Sequence, residues 1–265
     1  MTQRAIGIFD SGVGGLTVLR EVHRLLPNEQ LIYFGDTARV PYGTKSPSTV
    51  ERYALEAAEF LVSKGVKLLV VACNTASAVA LPLLESRFDV PVVGVIEPGA
   101  RRAVELSRNR HIGVIGTEGT VKSEAYIRAL MQLDNTVRVT STACPLFVPL
   151  AEEGWADHEV AHLAAREYLG DMVEAEVDTL VLGCTHYPLL KNTLAQVLGE
   201  RVQLVDSAEA TAQRVEKLVL THALERNGQA GAPRFYVSDV PTRFERVGSH
   251  FLGYPLDRVE QVSVG

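Results

Sequence analysis

Short apolar runs alternate along the chain with longer stretches in which apolar residues recur at helical spacing. The runs lack polar alternation, which is typical of strands buried on both faces of a parallel sheet. They predict strands over 5–9, 31–34, 66–72, 91–95, 111–116, 136–140, 179–182, 202–205 and 234–237. The stretches between them predict helices over 17–26, 48–63, 76–88, 120–131, 157–175, 189–198 and 208–226. This order predicts an α/β fold with mostly parallel strands flanked by helices.

The pattern occurs twice. Residues 111–116 resemble residues 5–10, and three pairs of residues match at nearly constant separation: Ile6 with Ile112, Cys73 with Cys184, and Val92 with Val202. The repeating unit is a whole α/β unit rather than a short solenoid repeat. We therefore predict two similar, pseudo-duplicated domains of flavodoxin- or Rossmann-like type. The first comprises 1–97 plus 208–265, and the second comprises 98–207.

Composition and charge argue against several classes of protein. The chain has 265 residues, of which 46% are hydrophobic and 22% charged, as in soluble globular proteins. Its net charge is -6 and it has no dense basic run, which argues against a nucleic-acid partner. We expect no secretory signal, and no apolar run approaches the roughly 20 residues that span a membrane. Its three cysteines are too few for a disulfide framework, so we expect a cytoplasmic protein without membrane contact.

Polar residues cluster where the predicted strands end. Ligands bind beyond the carboxyl ends of the strands in open α/β sheets. The residues at those ends are Asp10, Ser11, Gly12, Asp36, Cys73, Asn74, Thr75, Glu97, Thr117, Cys184, Thr185, His186, Asp206 and Ser207. Small hydroxyl residues and carboxylates dominate this set, and no lysine is placed to form a Schiff base.

Cys73 and Cys184 occupy equivalent strand ends in the two halves. A helix that begins at such a position stabilises an anion, so we expect both thiols to have lowered pKa values. Two equivalent thiols facing one substrate are suited to removing a proton from one side of a carbon and returning one from the other. A single cysteine in apolar surroundings is usually an inert core residue. That interpretation holds for Cys144, whereas the matched pair favours function.

His186 lies two residues after Cys184, so it is placed to orient or protonate that thiol. Glu152 and Glu153 would by default be solvated surface charges. The cysteines and histidines lack the close spacing of zinc ligands, so no metal site is expected.

The glycine loop after the first strand offers a competing interpretation. Gly12-x-Gly14-x-x-Thr17 follows a strand and opens a helix, and Asp36 ends the next strand, as in dinucleotide sites. Thr17 replaces the glycine that permits close helix packing, and Asp10 places a negative charge where a pyrophosphate would approach. Asp10 could also simply cap the helix.

Four motifs resemble the signatures of glutamate racemases, which belong to the aspartate/glutamate racemase family. They are DSGVGGLTV at 10–18, YFGD followed by PYG within 33–43, ACNTAS at 72–77, and GCTHYPL at 183–189. Each motif is short, but four in this order are specific. The resemblance covers about 6–207 and leaves the tail without an interpretation.

The resemblance implies a cofactor-independent isomerase that interconverts L- and D-glutamate and supplies D-glutamate for peptidoglycan. It implies an active site in the cleft between the two domains, where Cys73 and Cys184 are the acid/base residues. Asp10 would assist Cys73, while Glu152 and His186 would act on the Cys184 side. The positions that match substrate-binding residues are Asp10, Ser11, Tyr42, Gly43, Asn74, Thr75, Thr185 and His186. Neither metal nor cofactor is implied.

Other functions remain open from the residues themselves. A related aspartate racemase would differ only in pocket geometry. An NAD-dependent dehydrogenase would use Gly12 and Gly14, and a cysteine hydrolase would use Cys184 with His186 but would leave Cys73 unexplained. A non-enzymatic binding module has no need of matched thiols. A homodimer is compatible with the sequence.

Overall fold

The computed structural model describes residues 2–256 and 258–264, which form two parallel sheets covered by helices. The strands are β1 (Ile6–Asp10), β2 (Leu31–Gly35), β3 (Leu68–Val71), β4 (Val92–Gly94), β5 (His111–Gly116), β6 (Arg138–Ala143), β7 (Thr179–Gly183), β8 (Gln203–Asp206), β9 (Arg234–Val237) and β10 (Val259–Gln261). The helices are α1 (Leu16–Leu25), α2 (Pro47–Ser63), α3 (Asn74–Arg87), α4 (Ile96–Leu106), α5 (Glu118–Lys122), α6 (Ala125–Leu133), α7 (Phe147–Glu152), α8 (Glu159–Glu174), α9 (Lys191–Leu198), α10 (Ser207–Thr221) and α11 (Pro241–Leu252).

The two sheets repeat one strand order. The first is β10-β9-β2-β1-β3-β4 and the second is β6-β5-β7-β8. The core of each sheet therefore has the order second, first, third, fourth strand of its half, and every described pairing is parallel. The predicted fold class, two similar α/β units with mostly parallel sheets, is confirmed. We call the unit built on the first sheet the first lobe and the unit built on the second sheet the second lobe.

Burial explains the unbroken apolar runs. All residues of β1 and β7, the central strands of their sheets, are buried because helices cover both sheet faces. Ile6 pairs with Leu31 and Leu68, and Ile112 pairs with Thr179. Helix α10 packs against α1 and α4, so the hydrophobic core continues from one lobe into the other.

Several elements depart from the predicted pattern. The sequence predicts no helix at α4, α7 or α11 and no strand at β10. The sequence does not predict α4 because Pro98 and Gly99 disfavour a helix, although proline is tolerated in the first turn of a helix. The helix predicted over 120–131 divides into α5 and α6 at Glu124, which has a left-handed φ of 54°. The strand predicted over 136–140 runs instead from Arg138 to Ala143.

The chain returns to the first sheet after α10. Strand β9 pairs with β2 and β10 pairs with β9, so both extend the first sheet, and α11 packs against α1. The domain boundaries at 97/98 and 207/208 stay a prediction. Among the described residues, the helices are too short or too polar to cross a membrane.

A buried ion pair ties four segments together at the amino-terminal edge of the first sheet. Lys67 Nζ lies 2.6 Å from Glu29 Oε2, and these side chains are only 1% and 3% exposed. The ammonium also donates to the carbonyls of Thr2 at 3.0 Å and Leu224 at 2.5 Å. Glu29 Oε1 accepts from the Arg226 backbone N–H at 2.8 Å. The pair therefore connects the amino-terminal segment, the segments before β2 and β3, and the chain after α10.

Replacing Lys67 by Met leaves the Glu29 carboxylate buried without its cation. We expect the free energy of unfolding to fall by about 3 kcal/mol, the lower end for a broken buried pair. The thermal midpoint should drop by roughly 6–12 °C. The double variant Glu29→Gln/Lys67→Met should be more stable than Lys67→Met alone. Lys45→Met, at an exposed position, is the control and should change little. Equal midpoints for Lys67→Met and Lys45→Met would contradict this role.

Candidate active site

The carboxyl ends of the two sheets meet face to face. On one side, the Thr17 hydroxyl in the first lobe donates to the Thr185 carbonyl in the second lobe at 3.1 Å. The Thr185 hydroxyl donates back to Asp10 Oδ1 at 3.4 Å. Asp10 ends β1, Thr17 lies on α1 and Thr185 follows β7, so these bonds join the end of the central strand of one lobe, and the helix after it, to the end of the central strand of the other.

Three threonines close a second side of the cleft. The Thr75 hydroxyl lies 2.9 Å from the Thr117 hydroxyl and 3.3 Å from that of Thr120. Thr75 lies in the first turn of α3 in the first lobe, while Thr117 caps α5 in the second lobe. Gly43 fits against Thr117, because a Cβ at Gly43 would lie 2.6 Å from Thr117 Cβ.

The predicted site residues lie in this cleft and are almost entirely buried. Cys73 is 5% exposed and Cys184 is 6% exposed. Asp10, Tyr42, Gly43, Asn74, Thr75, Thr185 and His186 are buried, and Ser11 and Glu152 are partly buried. The structure therefore brings the predicted residues together in a closed state.

Cys73 caps the amino terminus of α3. Its sulfur accepts from the Ala76 backbone N–H at 3.5 Å and its thiol donates to the Ser11 hydroxyl at 3.7 Å. Burial and the neighbouring Asp10 carboxylate nonetheless raise the pKa of Cys73 to about 12. The prediction of a lowered pKa for Cys73 is wrong in this closed state, because desolvation outweighs the hydrogen bonds at the helix terminus.

Asp10 lies between the two sides of the site. Its Oδ2 accepts from the Gly12 backbone N–H at 2.9 Å, and its Oδ1 accepts from Thr185. Burial raises the pKa of Asp10, while the charge of nearby His186 opposes that rise. Asp10 is thus both a neighbour of Cys73 and a contact to the second lobe.

Cys184 begins a chain of polar contacts that leads out of the cleft. Its sulfur lies 3.8 Å from His186 Nδ1, and His186 Nε2 lies 3.0 Å from Glu152 Oε1. Burial alone would lower the pKa of His186, but its hydrogen bonds to Cys184 and Glu152 raise it to about 10. The hydrogen bond from His186 lowers the pKa of Glu152 despite partial burial. A protonated His186 therefore lies between Cys184 and an ionised Glu152.

The tail supports this chain of contacts. Arg243 on α11 donates to Glu152 Oε2 at 3.1 Å, although the arginine side chain is 62% exposed. Phe251 on the same helix packs edge-on against the His186 ring, with the ring centroids 5.3 Å apart. Helix α11, which packs on the first lobe, thus contacts Glu152 and His186 of the second lobe.

Asp36 has a structural environment rather than that of a ribose-binding acid. Its Oδ2 accepts from the Tyr42 hydroxyl at 2.5 Å and from Arg39 Nε at 2.7 Å. Its Oδ1 accepts from the Ser238 hydroxyl at 2.8 Å. The Tyr42 hydroxyl is therefore directed to Asp36, and any contact of Tyr42 with a ligand would involve its ring or backbone.

The glycine loop after β1, which contains Gly12 and Gly14, forms part of the contact between the lobes. A Cβ at Gly14 would lie 2.3 Å from Thr185 Oγ1 and 2.5 Å from His186 Nδ1. The loop is therefore covered by the second lobe, which counts against the dinucleotide interpretation. Among the described residues, no group of three potential metal ligands lies close together.

Sequence reasoning missed several residues of the cleft. Tyr126, Thr120, Arg243 and Phe251 come from α5, α6 and α11 rather than from strand ends. Tyr126 donates from its hydroxyl to Asn74 Oδ1 at 2.8 Å, which is another contact between the lobes. Only the family resemblance predicts a role for Glu152, because a glutamate beside a second glutamate forms no distinctive sequence pattern.

Comparison with known proteins identifies the class. The family model described as Asp/Glu/Hydantoin racemase matches residues 6–215. The glutamate racemase of Geobacter metallireducens is 61% identical over 265 residues, covering 100% of this chain and 98% of that protein. These matches show an isomerase, and the chain belongs to the Asp/Glu/hydantoin racemase family.

Solved structures agree with this assignment. A glutamate racemase of Bacillus anthracis superposes with a TM-score of 0.96 at 39% identity, covering 99% of this chain and 98% of that chain. The glutamate racemase of Francisella tularensis in complex with D-glutamate gives a TM-score of 0.94 at 38% identity, with the same coverage. The resemblance to glutamate racemases that the four motifs indicate is confirmed.

Substituting Gly14 by Ala should prevent the lobes from closing, because the new Cβ overlaps Thr185 and His186. We expect racemase kcat/KM to fall by about 100-fold or more, since small misplacements of reacting groups cost that much. Gly12→Ala is the matched control, because a Cβ at Gly12 would meet Val40 Cγ2 at 3.4 Å, an ordinary contact. Circular dichroism and the thermal midpoint establish that both variants fold. Near-native kcat/KM in folded Gly14→Ala would refute the role of this glycine.

Proposed function

We propose that the protein interconverts L- and D-glutamate by passing protons across the α-carbon between Cys73 and Cys184, without a cofactor. The observation that carries this proposal is the placement of two buried thiols at equivalent strand ends of two lobes, within one closed cleft. Removing a proton from one face and returning one to the other requires an acid and a base on opposite sides of the substrate. A duplicated fold with facing strand ends supplies that arrangement.

The surroundings of the two thiols give them different starting states. Burial and Asp10 keep Cys73 protonated at neutral pH. The Cys184 sulfur instead lies 3.8 Å from Nδ1 of His186, whose pKa is raised to about 10. A two-base mechanism requires one thiol and one thiolate at a time, and different surroundings suit that division of roles. Cys184 removes the α-proton of one enantiomer while Cys73 delivers a proton to the opposite face.

The reverse direction uses the opposite protonation states. When Cys73 has lost its proton, its raised pKa makes it a strong base, because basicity follows the pKa of the conjugate acid. Asp10 assists Cys73 through this effect. His186 assists Cys184 from its place beside the sulfur, and Glu152 assists through its hydrogen bond to His186. The site is only pseudo-symmetric, so the two directions need not have equal rate constants.

Acid–base catalysis alone does not account for the reaction. The α-proton of an amino acid is far less acidic than a thiol with a reference pKa of roughly 8.5. General acid–base catalysis typically supplies about 10²–10⁴-fold. Donors that bind the substrate carboxylate, where negative charge accumulates, supply the rest. Backbone N–H groups and the hydroxyls of Ser11, Thr75 and Thr185 are the proposed donors, and closure of the cleft strengthens their interactions by excluding water.

The family context extends the proposal to the cell. The product D-glutamate supplies peptidoglycan synthesis in the cytoplasm, and the partners are L- and D-glutamate. The two domains, 1–97 plus 208–265 and 98–207, separate to admit the substrate. We also expect a homodimer, with which the sequence is compatible.

A circular-dichroism assay with L- and D-glutamate and no added cofactor tests the proposed function. The wild-type protein should racemise both enantiomers, and aspartate should react more slowly. Cys73→Ala and Cys184→Ala should each lower kcat by about 10³-fold or more, since each removes one of the two proton-transfer groups. Cys144→Ala is the matched control, because Cys144 is also buried but lies outside the proposed mechanism.

Two results would contradict the proposal. One is near-native turnover in either Cys73→Ala or Cys184→Ala, which would remove one thiol from the mechanism. The other is a wild-type protein that needs an added cofactor before it racemises glutamate.

A further inference from the structure

Asn74 carries an unsatisfied polar group in the middle of the closed cleft. The residue follows Cys73, begins α3 and is 2% exposed. Its Oδ1 accepts from the Tyr126 hydroxyl at 2.8 Å. Its Nδ2 is buried and has no hydrogen-bond partner among residues 2–256 and 258–264. A buried amide N–H₂ without an acceptor is costly, so the group is prepared for an acceptor that arrives with a ligand.

Tyr126 is buried in a closely packed position from which it orients the Asn74 amide. The residue lies on α6 of the second lobe and is 2% exposed. Two glycines make room for its ring, because a Cβ at Gly99 would lie 3.3 Å from the Tyr126 hydroxyl and a Cβ at Gly183 would lie 3.1 Å from Cε2. The ring therefore fits between α4 and the end of β7.

We propose that Tyr126 is a positioning residue that fixes the Asn74 amide for binding the carboxylate of the amino-acid substrate. The tyrosine hydroxyl donates to the amide oxygen, so that oxygen faces Tyr126 and the N–H₂ group is left free to donate to the substrate. An amide turned the other way would present its oxygen to the substrate carboxylate, and the two acceptors would repel each other. The inference rests on the proposed function, because it assigns a carboxylate-bearing substrate to this cleft.

The bond also couples substrate binding to closure of the lobes. Asn74 belongs to the first lobe and Tyr126 to the second, so the orienting bond exists only when the lobes are together. In the open state the amide is free to rotate. The carboxylate donor is therefore completed by the same movement that buries the two thiols.

Removing the Tyr126 hydroxyl should weaken binding more than chemistry. Asn74 meets a carboxylate that is present in the bound substrate and in the transition state alike, so its loss acts mainly on KM. In Tyr126→Phe we expect KM to rise about 10-fold for both enantiomers, the size of one hydrogen bond to a charged group. We expect kcat to change by less than about threefold. Phenylalanine keeps the ring between Gly99 and Gly183, so the variant should fold.

A double-mutant cycle separates positioning from a purely structural role. KM and kcat are measured for L- and D-glutamate in the wild type, Asn74→Ala, Tyr126→Phe and the double variant. If Tyr126 acts through Asn74, the double variant has the KM of Asn74→Ala and the two effects do not add. Tyr168→Phe is the matched control, since that half-buried tyrosine on α8 contacts Leu146 rather than the cleft.

Two outcomes would overturn the inference while the wild type still racemises glutamate. The first is a KM for Tyr126→Phe equal to that of Tyr168→Phe. The second is a double variant whose KM is the product of the two separate effects, which would show that Tyr126 acts independently of Asn74. A wild-type protein that fails to racemise glutamate would instead refute the proposed function, so the two failures are distinguishable.

Discussion

The carboxyl ends of two parallel sheets face each other across one cleft, and the polar groups at those ends must find partners in the opposite lobe. Thr17 and Asp10 meet Thr185, Thr75 meets Thr117, and Asn74 meets Tyr126. Most of these residues are also the proposed substrate-binding groups. The interactions that close the lobes are therefore made by the same side chains that would hold the ligand, which makes closure and binding parts of one equilibrium.

This constraint explains why two similar thiols acquire different properties. The duplication gives Cys73 and Cys184 the same position at the end of a strand, but their neighbours come from different elements. Cys73 is buried beside an acid and has a raised pKa, whereas Cys184 lies beside a histidine whose pKa is raised by its hydrogen bonds to Cys184 and Glu152. A reaction that needs one acid and one base at a time benefits from this difference. Because the two thiols differ in their surroundings, the conversions of L- to D-glutamate and of D- to L-glutamate need not have equal rate constants.

The repeated strands and the two cysteines could be predicted from sequence, because unbroken apolar runs mark buried parallel strands and a residue that follows such a run lies at the strand end. Tyr126 and Arg243 could not be predicted, since they reach the cleft from helices whose packing depends on the whole fold. Helix α4 was not predicted because it contains Pro98 and Gly99, yet the missing side chain of Gly99 leaves space for the Tyr126 hydroxyl. The raised pKa of Cys73 escaped prediction because desolvation depends on closure of the lobes, which a local motif does not encode.

Isotope incorporation from solvent tests the two-base mechanism most directly. The reaction is started from L-glutamate in D₂O and stopped after a small fraction has reacted, and deuterium at the α-carbon is measured in both enantiomers by mass spectrometry. Two thiols on opposite faces predict that the D-glutamate formed carries deuterium while the remaining L-glutamate stays largely protiated. A single base that exchanges with solvent would put deuterium into unreacted L-glutamate as fast as into the product, and that result would contradict the account.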